Sequence, residues 1–461
     1  MIKLFFFFGL WVSFVSAQNV MKFQDFMEYV FNYHPVAKAA SLQSQRGSLF
    51  VRDARGNFDP QLNYQNKLKS FDGKTYFFSQ FSDLTVPLWW NFDIKTSWER
   101  NLGSRLNPEN YTPTEGLFAL GISVPVTQSL IIDARRNAVL IAKAMDKMAD
   151  AERLLILNDL FFDAALAYLD WSLAFKQSLQ FQQILEIASK RREFIVSQFE
   201  NGFASELDTT DAFNNLLNRQ IEARENLVFL NQTRYAVSNF LWNENFVPLE
   251  LPDNLIPQSI DSLNLPPILN QFDWIDQHPF ILKYEAKARQ LQLERKLKIS
   301  KLLPKTLAEY NFLTYPSRLD KLENYLIYES YKVSFKFSMP LFLRSERADL
   351  GFANIKIQEN DFSLVLKRLE LKNKFLAYFN SYLLYQEQLL DLKTAISNYQ
   401  RLYDGEFQRF QIGETNVLSL IIRENTLLDN QLKLWATWHK YLKSNIASLW
   451  SSAKLIEIFG K

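Results

Sequence analysis

The sequence predicts a mainly α-helical protein with membrane β-strands, built from two structural repeats. Three observations support this fold class. A His-Pro pair begins a helix-like stretch at 34–35 and again at 278–279. Segments of alternating polarity follow each stretch, and two long proline-free runs, 126–247 and 341–461, come after them. Because the same order occurs twice, each copy is predicted to form a short helix, a strand pair, a long helix, a turn and a return helix.

The N-terminal residues 1–17 have the three parts of a secretory signal peptide. Lys3 is basic, 4–15 are apolar, and the small residues Ser16 and Ala17 precede Gln18. A membrane anchor is the alternative, but the apolar core is shorter than the ~20 residues that a spanning helix needs. We therefore expect the mature protein to begin near Gln18, outside the cytoplasm.

Composition excludes some partners and limits how the fold is held together. The chain has 52 Lys and Arg against 50 Asp and Glu, so its charge argues for neither nucleic acid nor an acidic partner. It has no cysteine, so packing, oligomerisation or membrane embedding must stabilise it without disulfides. The 40 Phe, 19 Tyr and 10 Trp suit either a core or the aromatic girdles of membrane barrels.

The first repeat is predicted over 18–241 and the second over 274–450. A proline-rich linker at 242–273 separates them, and a tail occupies 451–461. In the first repeat, the predicted elements are strands at about 60–70 and 116–125, a long helix at about 128–201 and a return helix at about 205–241. In the second repeat, they are strands at about 304–315 and 329–340, a long helix at about 343–411 and a return helix at about 415–449.

Each long helix carries a seam of apolar residues at alternating spacings of three and four, the pattern of a coiled coil. The seam of the first helix contains Leu154, Leu157, Phe161, Ala164, Tyr168, Trp171 and Phe175. The seam of the second contains Leu371, Phe375, Tyr378, Tyr382, Tyr385, Leu389, Leu392, Ile396, Tyr399 and Tyr403. A helix of ~70 residues spans on the order of 100 Å and needs neighbours along its length. Gly202 and Gly413 are predicted to be sharp turns into antiparallel hairpins; a long helix with a tolerated glycine is the alternative.

The segments between the short and long helices alternate with period two. Tyr331, Val333, Phe335 and Phe337 alternate with polar residues and are predicted to face lipid. A soluble sheet packed on helices would give the same alternation, but the aromatic face and the signal peptide favour the membrane. Because two strand pairs cannot close a barrel and open edges are not tolerated in lipid, several copies of the chain must share one barrel.

The first repeat has an insertion at about 75–101 between its two predicted strands. Phe92, Ile94, Thr96 and Trp98 alternate with polar residues within it. The insertion is either an extra strand pair or a hairpin outside the membrane. We favour the external hairpin, because a second pair of spanning strands would break the symmetry between the repeats.

These residues resemble the TolC-like outer-membrane efflux family over nearly the whole mature chain. The resemblance is carried by the strand-to-helix junctions Ser-Val-Pro-Val at 123–126 and Ser-Met-Pro-Leu-Phe at 338–342, and by the turns at 199–203 and 410–414. It implies a homotrimer with a twelve-stranded β-barrel in the outer membrane, continuous with an α-helical barrel in the periplasm. Such proteins are passive exit ducts of tripartite efflux or type I secretion systems, opened when an inner-membrane pump and a periplasmic adaptor engage. No cofactor is implied.

The resemblance also points to the functional residues. The turn glycines lie where the adaptor docks in the family, which maps to Asn201, Gly202, Phe203, Ile412, Gly413 and Glu414. Some members have an aspartate ring six and nine residues beyond the second glycine, but this chain has Ser419 and Ile422 there. The first repeat instead has Asp208 and Asp211 at those spacings, with Glu206 nearby. These acids are predicted either to line the pore entrance or simply to complement a helix N-terminus.

No motif for catalysis or metal binding is present in the sequence. His34, His278 and His439 are too scattered for a metal site, and no phosphate loop or nucleophile elbow occurs. We therefore expect no enzyme activity. The alternative functions are a soluble periplasmic coiled-coil scaffold or adaptor-like protein and, given the sequon Asn231-Gln-Thr233, a eukaryotic secreted protein.

Overall fold

A computed structural model describes residues 19–128, 133–268, 271–317 and 330–460. The predicted signal peptide lies outside the described residues. Most of the described chain is helical, and one six-stranded sheet accounts for most of the rest, which confirms the prediction of a mainly helical protein with a sheet. Among the helices described, none combines the length and hydropathy needed to cross a membrane.

Two helices are far longer than the others and each is followed by a shorter return helix. The helices are α1 (Phe23–Tyr33), α2 (Pro35–Arg55), α3 (Ala134–Glu200), α4 (Glu206–Ser238), α5 (Pro279–Ser300), α6 (Arg344–Gln411), α7 (Val417–Ser451) and α8 (Leu455–Phe459). The strands are β1 (Asn19–Met21), β2 (Gln61–Phe71), β3 (Lys74–Pro87), β4 (Asp93–Leu102), β5 (Leu117–Pro125), β6 (Leu255–Pro257), β7 (Lys305–Thr314) and β8 (Tyr331–Ser338).

The chain divides into two compact units. The helical unit contains the described residues of Met1–Ala40, Leu154–Ile275 and Glu370–Lys461. The sheet unit contains those of Ser41–Arg153 and Asp276–Leu369. Each unit therefore draws on both halves of the chain, so neither repeat folds as a separate domain.

An aromatic core holds the helical unit together. Phe26, Phe161, Tyr168 and Trp171 are buried in one cluster with residues of α7 and α8. The Tyr168 hydroxyl donates to the Met21 carbonyl at 2.6 Å and accepts from the Gln258 amide at 2.9 Å. Strands β1 and β6 pair in parallel. The Tyr168 hydroxyl therefore connects α3 to β1 and to the residue that follows β6. Burial raises the pKa of Tyr168, so the hydroxyl stays protonated and keeps its donor role.

The linker between the repeats packs into the same unit. Leu251, Ile260 and Leu263 are buried against the aromatic core. Arg234 donates to the Leu251 and Pro252 carbonyls and to the Asp253 carboxylate. These contacts fix a proline-rich segment that has little regular structure of its own.

The sheet unit contains one antiparallel sheet with the strand order β2-β3-β4-β5-β7-β8. Strands β5 and β7, from different repeats, are paired from Phe118↔Thr314 to Pro125↔Leu307. At this contact Gly121 is required, because an added Cβ would lie 2.4 Å from the Tyr310 carbonyl oxygen and 2.1 Å from the Asn311 side chain. The two repeats are thus joined edge to edge into a single sheet.

The favoured interpretation of the insertion at 75–101 as an external hairpin is wrong. Strands β3 and β4 both lie within the sheet, and β3 is paired on both sides, with β2 and with β4. In the described part of the chain, the first repeat therefore contributes four strands to this sheet and the second contributes two. The prediction assumed that the two repeats contain the same number of strands. Pairing within a sheet satisfies the main-chain amides and carbonyls of any strand, so an insertion in one repeat can add strands that the other repeat lacks. The twelve-strand count, which assumed four strands from each of three copies, no longer follows.

Candidate functional site

Both long helices end in the same hydrogen-bonded turn. At the end of α3, the Gly202 amide donates to the Phe199 carbonyl at 2.9 Å and the Phe203 amide to the Gln198 carbonyl at 2.8 Å. The Gly202 φ is +80°, the left-handed conformation in which glycine is favoured. This is a Schellman motif, which satisfies the last carbonyls of the helix and reverses the chain. A continuous helix through Gly202 is thereby ruled out.

The end of α6 repeats this geometry. The Gly413 amide donates to the Phe410 carbonyl at 3.1 Å and the Glu414 amide to the Arg409 carbonyl at 2.9 Å. The Gly413 φ is +77°. The pair of sequence motifs therefore forms a pair of structurally equivalent turns, which we call the first tip (201–208) and the second tip (412–419).

The return helix of the first tip begins with a capping box. The Asp208 amide donates to Ser205 Oγ at 3.2 Å, and the Ser205 amide donates to Asp208 Oδ2 at 2.9 Å. Ser205 Oγ also donates to the same carboxylate oxygen at 2.7 Å. These hydrogen bonds from Ser205 lower the pKa of Asp208. The carboxylate of Asp208 is thus engaged in starting α4, which is the structural alternative given for it above.

The return helix of the second tip begins without an acid. The Ser419 amide donates to Asn416 Oδ1 at 2.8 Å. Thr415 Oγ1 donates to Glu406 Oε1 at 2.6 Å, which braces the turn against the end of α6. The charged residue of this tip is Glu414, whose carboxylate lies 3.6 Å from the guanidinium of Arg409 at the end of α6.

The remaining predicted tip residues project from the turns. Phe203 is 82% exposed and Ile412 is 69% exposed, although both are large and apolar. Glu206 and Asp211 are also exposed. Within the described part of the chain, neither carboxylate takes part in a salt bridge, so their charges are open to solvent or to a partner.

A buried ion pair that the sequence analysis did not predict joins the helix that leads into the first tip to the helix that follows the second tip. Arg191 of α3 pairs with Glu424 of α7, and their side chains are 7% and 4% exposed. Burial lowers the pKa of Arg191 to about 10, which still leaves it charged at neutral pH. The two residues are far apart in sequence, and each occupies a position that suits a solvated helix face, so no sequence signal joined them.

A second polar contact joins α7 to α4 next to this pair. Arg219 donates to Asn425 Oδ1 at 2.6 Å and to Glu222 at 2.6 Å, and Arg219 is itself only 6% exposed. Helix α7 is therefore bound through adjacent residues, Glu424 and Asn425, to both helices of the first hairpin. The polar network fixes the second return helix on the first hairpin close to both turns.

One face of the sheet is mainly apolar, although Asn66, Gln80 and Arg100 form a polar row on it. The strand registers place Leu62, Leu84, Thr96, Leu120, Phe312 and Tyr331 in one row across all six strands. The predicted lipid-facing residues Tyr331, Val333, Phe335 and Phe337 all lie on this face of β8, and each is between 58% and 67% exposed. We call this the apolar face. An exposed apolar surface of this extent needs a cover.

The other face is polar. The next row across the sheet contains Gln61, Thr85, Lys95, Gly121, Asn311 and Lys332. Lys95 pairs with Glu309 at 2.5 Å, and Ser123 Oγ donates to the same carboxylate oxygen at 3.1 Å. We call this the polar face. A sheet with one mainly apolar and one polar face has the pattern of strands at a boundary between lipid and water.

The histidines have local structural contacts. His34 Nδ1 accepts from the Val36 amide and His278 Nδ1 from the Phe280 amide, each at 3.2 Å. His439 Nε2 lies 2.6 Å from Asp170 Oδ1. No group of three metal-binding side chains occurs among the described residues. The candidate functional surfaces are therefore the two tips and the two faces of the sheet.

Comparison with known proteins gives matches in structure and none in sequence. No protein-family model matches the chain, and no curated protein matches it. The structure of CusC, described with its transmembrane channel formation, is matched with a TM-score of 0.68 at 14% identity, over 93% of this chain and 90% of that one. The open state of the Neisseria gonorrhoeae MtrE outer membrane channel is matched with a TM-score of 0.67 at 14% identity, over 93% and 88%.

A third solved structure is the Campylobacter jejuni CmeC outer membrane channel. It is matched with a TM-score of 0.66 at 12% identity, over 95% of this chain and 88% of that one. The chain has the fold of these outer-membrane channels. The resemblance of the sequence to the TolC-like family is confirmed at the level of the fold.

Proposed function

We propose that this protein is the outer-membrane exit duct of a tripartite efflux system. In this proposal three copies form a passive conduit from the periplasm to the exterior. The observation that carries it is the combination of a channel fold over almost the whole chain with a sheet that has one mainly apolar and one polar face. The apolar face would contact lipid and the polar face would line water.

The helical unit supports the periplasmic part of the proposal. In a single chain the seam of α6 is only partly covered, since Leu371 and Phe375 are buried whereas Tyr378, Tyr385 and Tyr399 are half-buried. Long helices need neighbours along their length. Neighbouring copies in a trimer would supply them and close a helical tube.

The tips are the proposed contacts for a periplasmic adaptor and, through it, for an inner-membrane pump. Phe203 and Ile412 expose apolar side chains at turns whose main-chain groups are already satisfied, so they are free to bind a partner. In this proposal engagement of the adaptor and pump opens the duct by moving the tip helices. A type I secretion system is the second transport class that would use the same parts.

The localisation is tested by membrane fractionation of cells that produce the full-length protein. Extraction from the outer membrane only by detergent, as a trimer that conducts ions in a planar bilayer, is the expected result. Release by osmotic shock as a water-soluble particle would instead establish the alternative, a soluble periplasmic scaffold or adaptor-like protein, and would overturn the duct.

The adaptor contact is tested separately in the same cells. Phe203→Ser and Ile412→Ser should abolish co-purification with the adaptor while the trimer and its conductance remain. Phe246→Ser is the matched control, because Phe246 is 54% exposed and lies in the linker, away from the turns in sequence. Equal loss in the control and the tip variants would remove the tips as the docking site.

A further inference from the structure

Among the described residues, the six strands of the sheet leave two unpaired edges, β2 and β8. The outward edges of these strands carry main-chain amides and carbonyls without partners in the sheet, which is not tolerated in lipid. Because all neighbouring strands are antiparallel, β2 and β8 run in opposite directions. The β8 edge of one copy can therefore pair antiparallel with the β2 edge of the next.

The side-chain pattern continues across such a junction. On the apolar face, β2 carries Leu62, Tyr64 and Leu68 with the polar Asn66 between the last two, and β8 carries Val333, Phe335 and Phe337. The six apolar side chains are all more than 60% exposed. Pairing these edges joins apolar to apolar on one face and polar to polar on the other. A second copy of the chain therefore fits as the pairing partner of each edge strand.

The polar face of the two edge strands has an unbalanced charge. Lys67 and Lys69 lie on β2, and Lys332 and Lys336 on β8, with no acid on that face of either strand. All four lysines are exposed, and none forms a salt bridge with a described carboxylate. Lys69 lies over the Tyr76 ring at 5.2 Å, which leaves its charge in place.

The acids on the polar face lie on inner strands and already have partners. Glu309 pairs with Lys95, Asp93 with Arg135 at 2.7 Å, and Asp83 accepts from the Asn63 side chain at 3.1 Å. The fourth, Glu99, accepts from the Asn101 side chain at 2.7 Å. Asn63 and Asn101 are neutral, so Asp83 and Glu99 keep their negative charges, and Lys332 interacts electrostatically with Glu309. The four edge lysines together with Lys95 and Lys305 nevertheless outnumber these four acids on the polar face, which therefore carries a net positive charge.

We propose that three copies close their six-stranded sheets into one eighteen-stranded barrel whose β8–β2 seams line the lumen with lysines and make the duct selective for anions. This inference rests on the proposed function. Barrels of 16–18 strands leave an aqueous channel, and rings of lysine favour anions. The predicted class of preferred solute is small anions, inorganic or organic.

The seam is tested by pairs of cysteines in the full-length protein, which has no cysteine of its own. Asn63→Cys with Ser338→Cys, Gln65→Cys with Ser334→Cys, and Gln65→Cys with Ser338→Cys sample three neighbouring registers on the polar face. At least one pair should give a disulfide-linked trimer on a non-reducing gel. The pair Asn63→Cys with Asp83→Cys is the control, because these residues are opposite each other within one chain and should give only monomers.

A competing closure would use only β4, β5, β7 and β8 and leave β2 and β3 outside the barrel. It predicts cross-links between β4 and β8, which Ser97→Cys with Ser334→Cys detects. Trimers from that pair and none from the β2–β8 pairs would overturn the eighteen-stranded barrel. The proposed duct would survive that result, since a smaller barrel would still conduct.

The selectivity is tested by the reversal potential of the purified trimer in a planar bilayer under a potassium chloride gradient. The wild-type protein should be more permeable to chloride than to potassium. Replacing the four edge lysines by glutamine should bring the permeability ratio to one or below. Ser334→Asn with Ser338→Asn, on the same face of β8, should leave it unchanged. A conducting wild-type trimer without anion preference would refute the inference and leave the proposed function standing.

Discussion

The two hairpin tips end their outward helices alike and begin their return helices differently. Gly202 and Gly413 occupy the same left-handed position with the same pair of main-chain hydrogen bonds. Beyond the turn, the first tip starts α4 with a carboxylate, Asp208, and the second starts α7 with a neutral cap, Asn416. The duplicated chain has kept the backbone of the turn and changed its charge.

This difference separates what the turn needs from what a partner or solute would meet. A chain reversal after a helix requires a residue with positive φ and satisfied carbonyls, which few sequences provide. The cap that follows can be Ser, Asn or Asp with similar effect, so it is free to vary. The acids of the first tip and the apolar surface of both tips are therefore where function can differ.

The largest expected effect comes from the ion pair that joins the two repeats behind the tips. Glu424→Leu leaves the Arg191 guanidinium buried without its partner, and breaking a buried pair in this way costs about 3–5 kcal/mol. The variant should unfold at a clearly lower urea concentration than the wild-type protein, measured by circular dichroism.

A double variant distinguishes an unpaired charge from lost packing. Arg191→Met with Glu424→Leu removes both charges and should recover most of the stability, because apolar residues of similar size often replace a buried pair without loss. A double variant no more stable than Glu424→Leu alone would show that the pair contributes through shape and not through charge.

The glycines give the next largest effect, and it should be equal at the two tips. Gly202→Ala and Gly413→Ala each place a Cβ in the left-handed region, which costs roughly 1–2 kcal/mol. Apart from the adjacent residues, no described atom lies within 4 Å of either added Cβ, so backbone strain alone sets the loss of stability. Replacing either glycine by Asn should lower the free energy of unfolding by less, since asparagine tolerates this conformation. Urea midpoints of the four variants check this; unequal losses would mean that one turn carries a further contact.

Much of the helical part could be predicted from the sequence because its signals are local. The glycine turns and the seams with spacings of three and four are set by residues close together in the chain. In the sheet, the Asp72-Gly73 turn was a local signal that went unused: both residues have positive φ, and the two-residue loop joins β2 directly to β3. The external hairpin was predicted instead because the two repeats were expected to have the same number of strands.

The ion pair behind the tips could not have been found in this way. Arg191 and Glu424 lie on helices of different repeats, and their pairing depends on which faces of α3 and α7 pack together. The placement of β5 beside β7 has the same origin, because only the folded chain decides which strands of the two repeats meet.

The caps provide a smaller effect that depends on pH at one tip only. Ser205→Ala and Asn416→Ala should each cost about 1 kcal/mol and speed amide hydrogen exchange in the first turn of α4 or α7. The folded-state pKa of Asp208 is lowered, so its contribution is present above the ordinary value of 3.8 and is lost as the pH falls through the lower folded value. Hydrogen exchange at neutral pH and near pH 3 should therefore show the first turn of α4 loosening in acid. The first turn of α7 has no carboxylate in its cap and should not change through it.

The smallest effect separates the two aspartates proposed for the pore entrance. Asp208 is committed to the capping box, whereas the exposed Asp211 is in no salt bridge among the described residues. A carboxylate repeated around a trimer axis attracts cations, so Asp211→Asn should weaken block by divalent cations more than Asp208→Asn does. Single-channel recordings with cations added on the periplasmic side measure this. Block and conductance that stay the same in both variants would mean that the acids of the first tip serve only the start of α4. The two tips would then differ in how a helix is capped and not in what the duct admits.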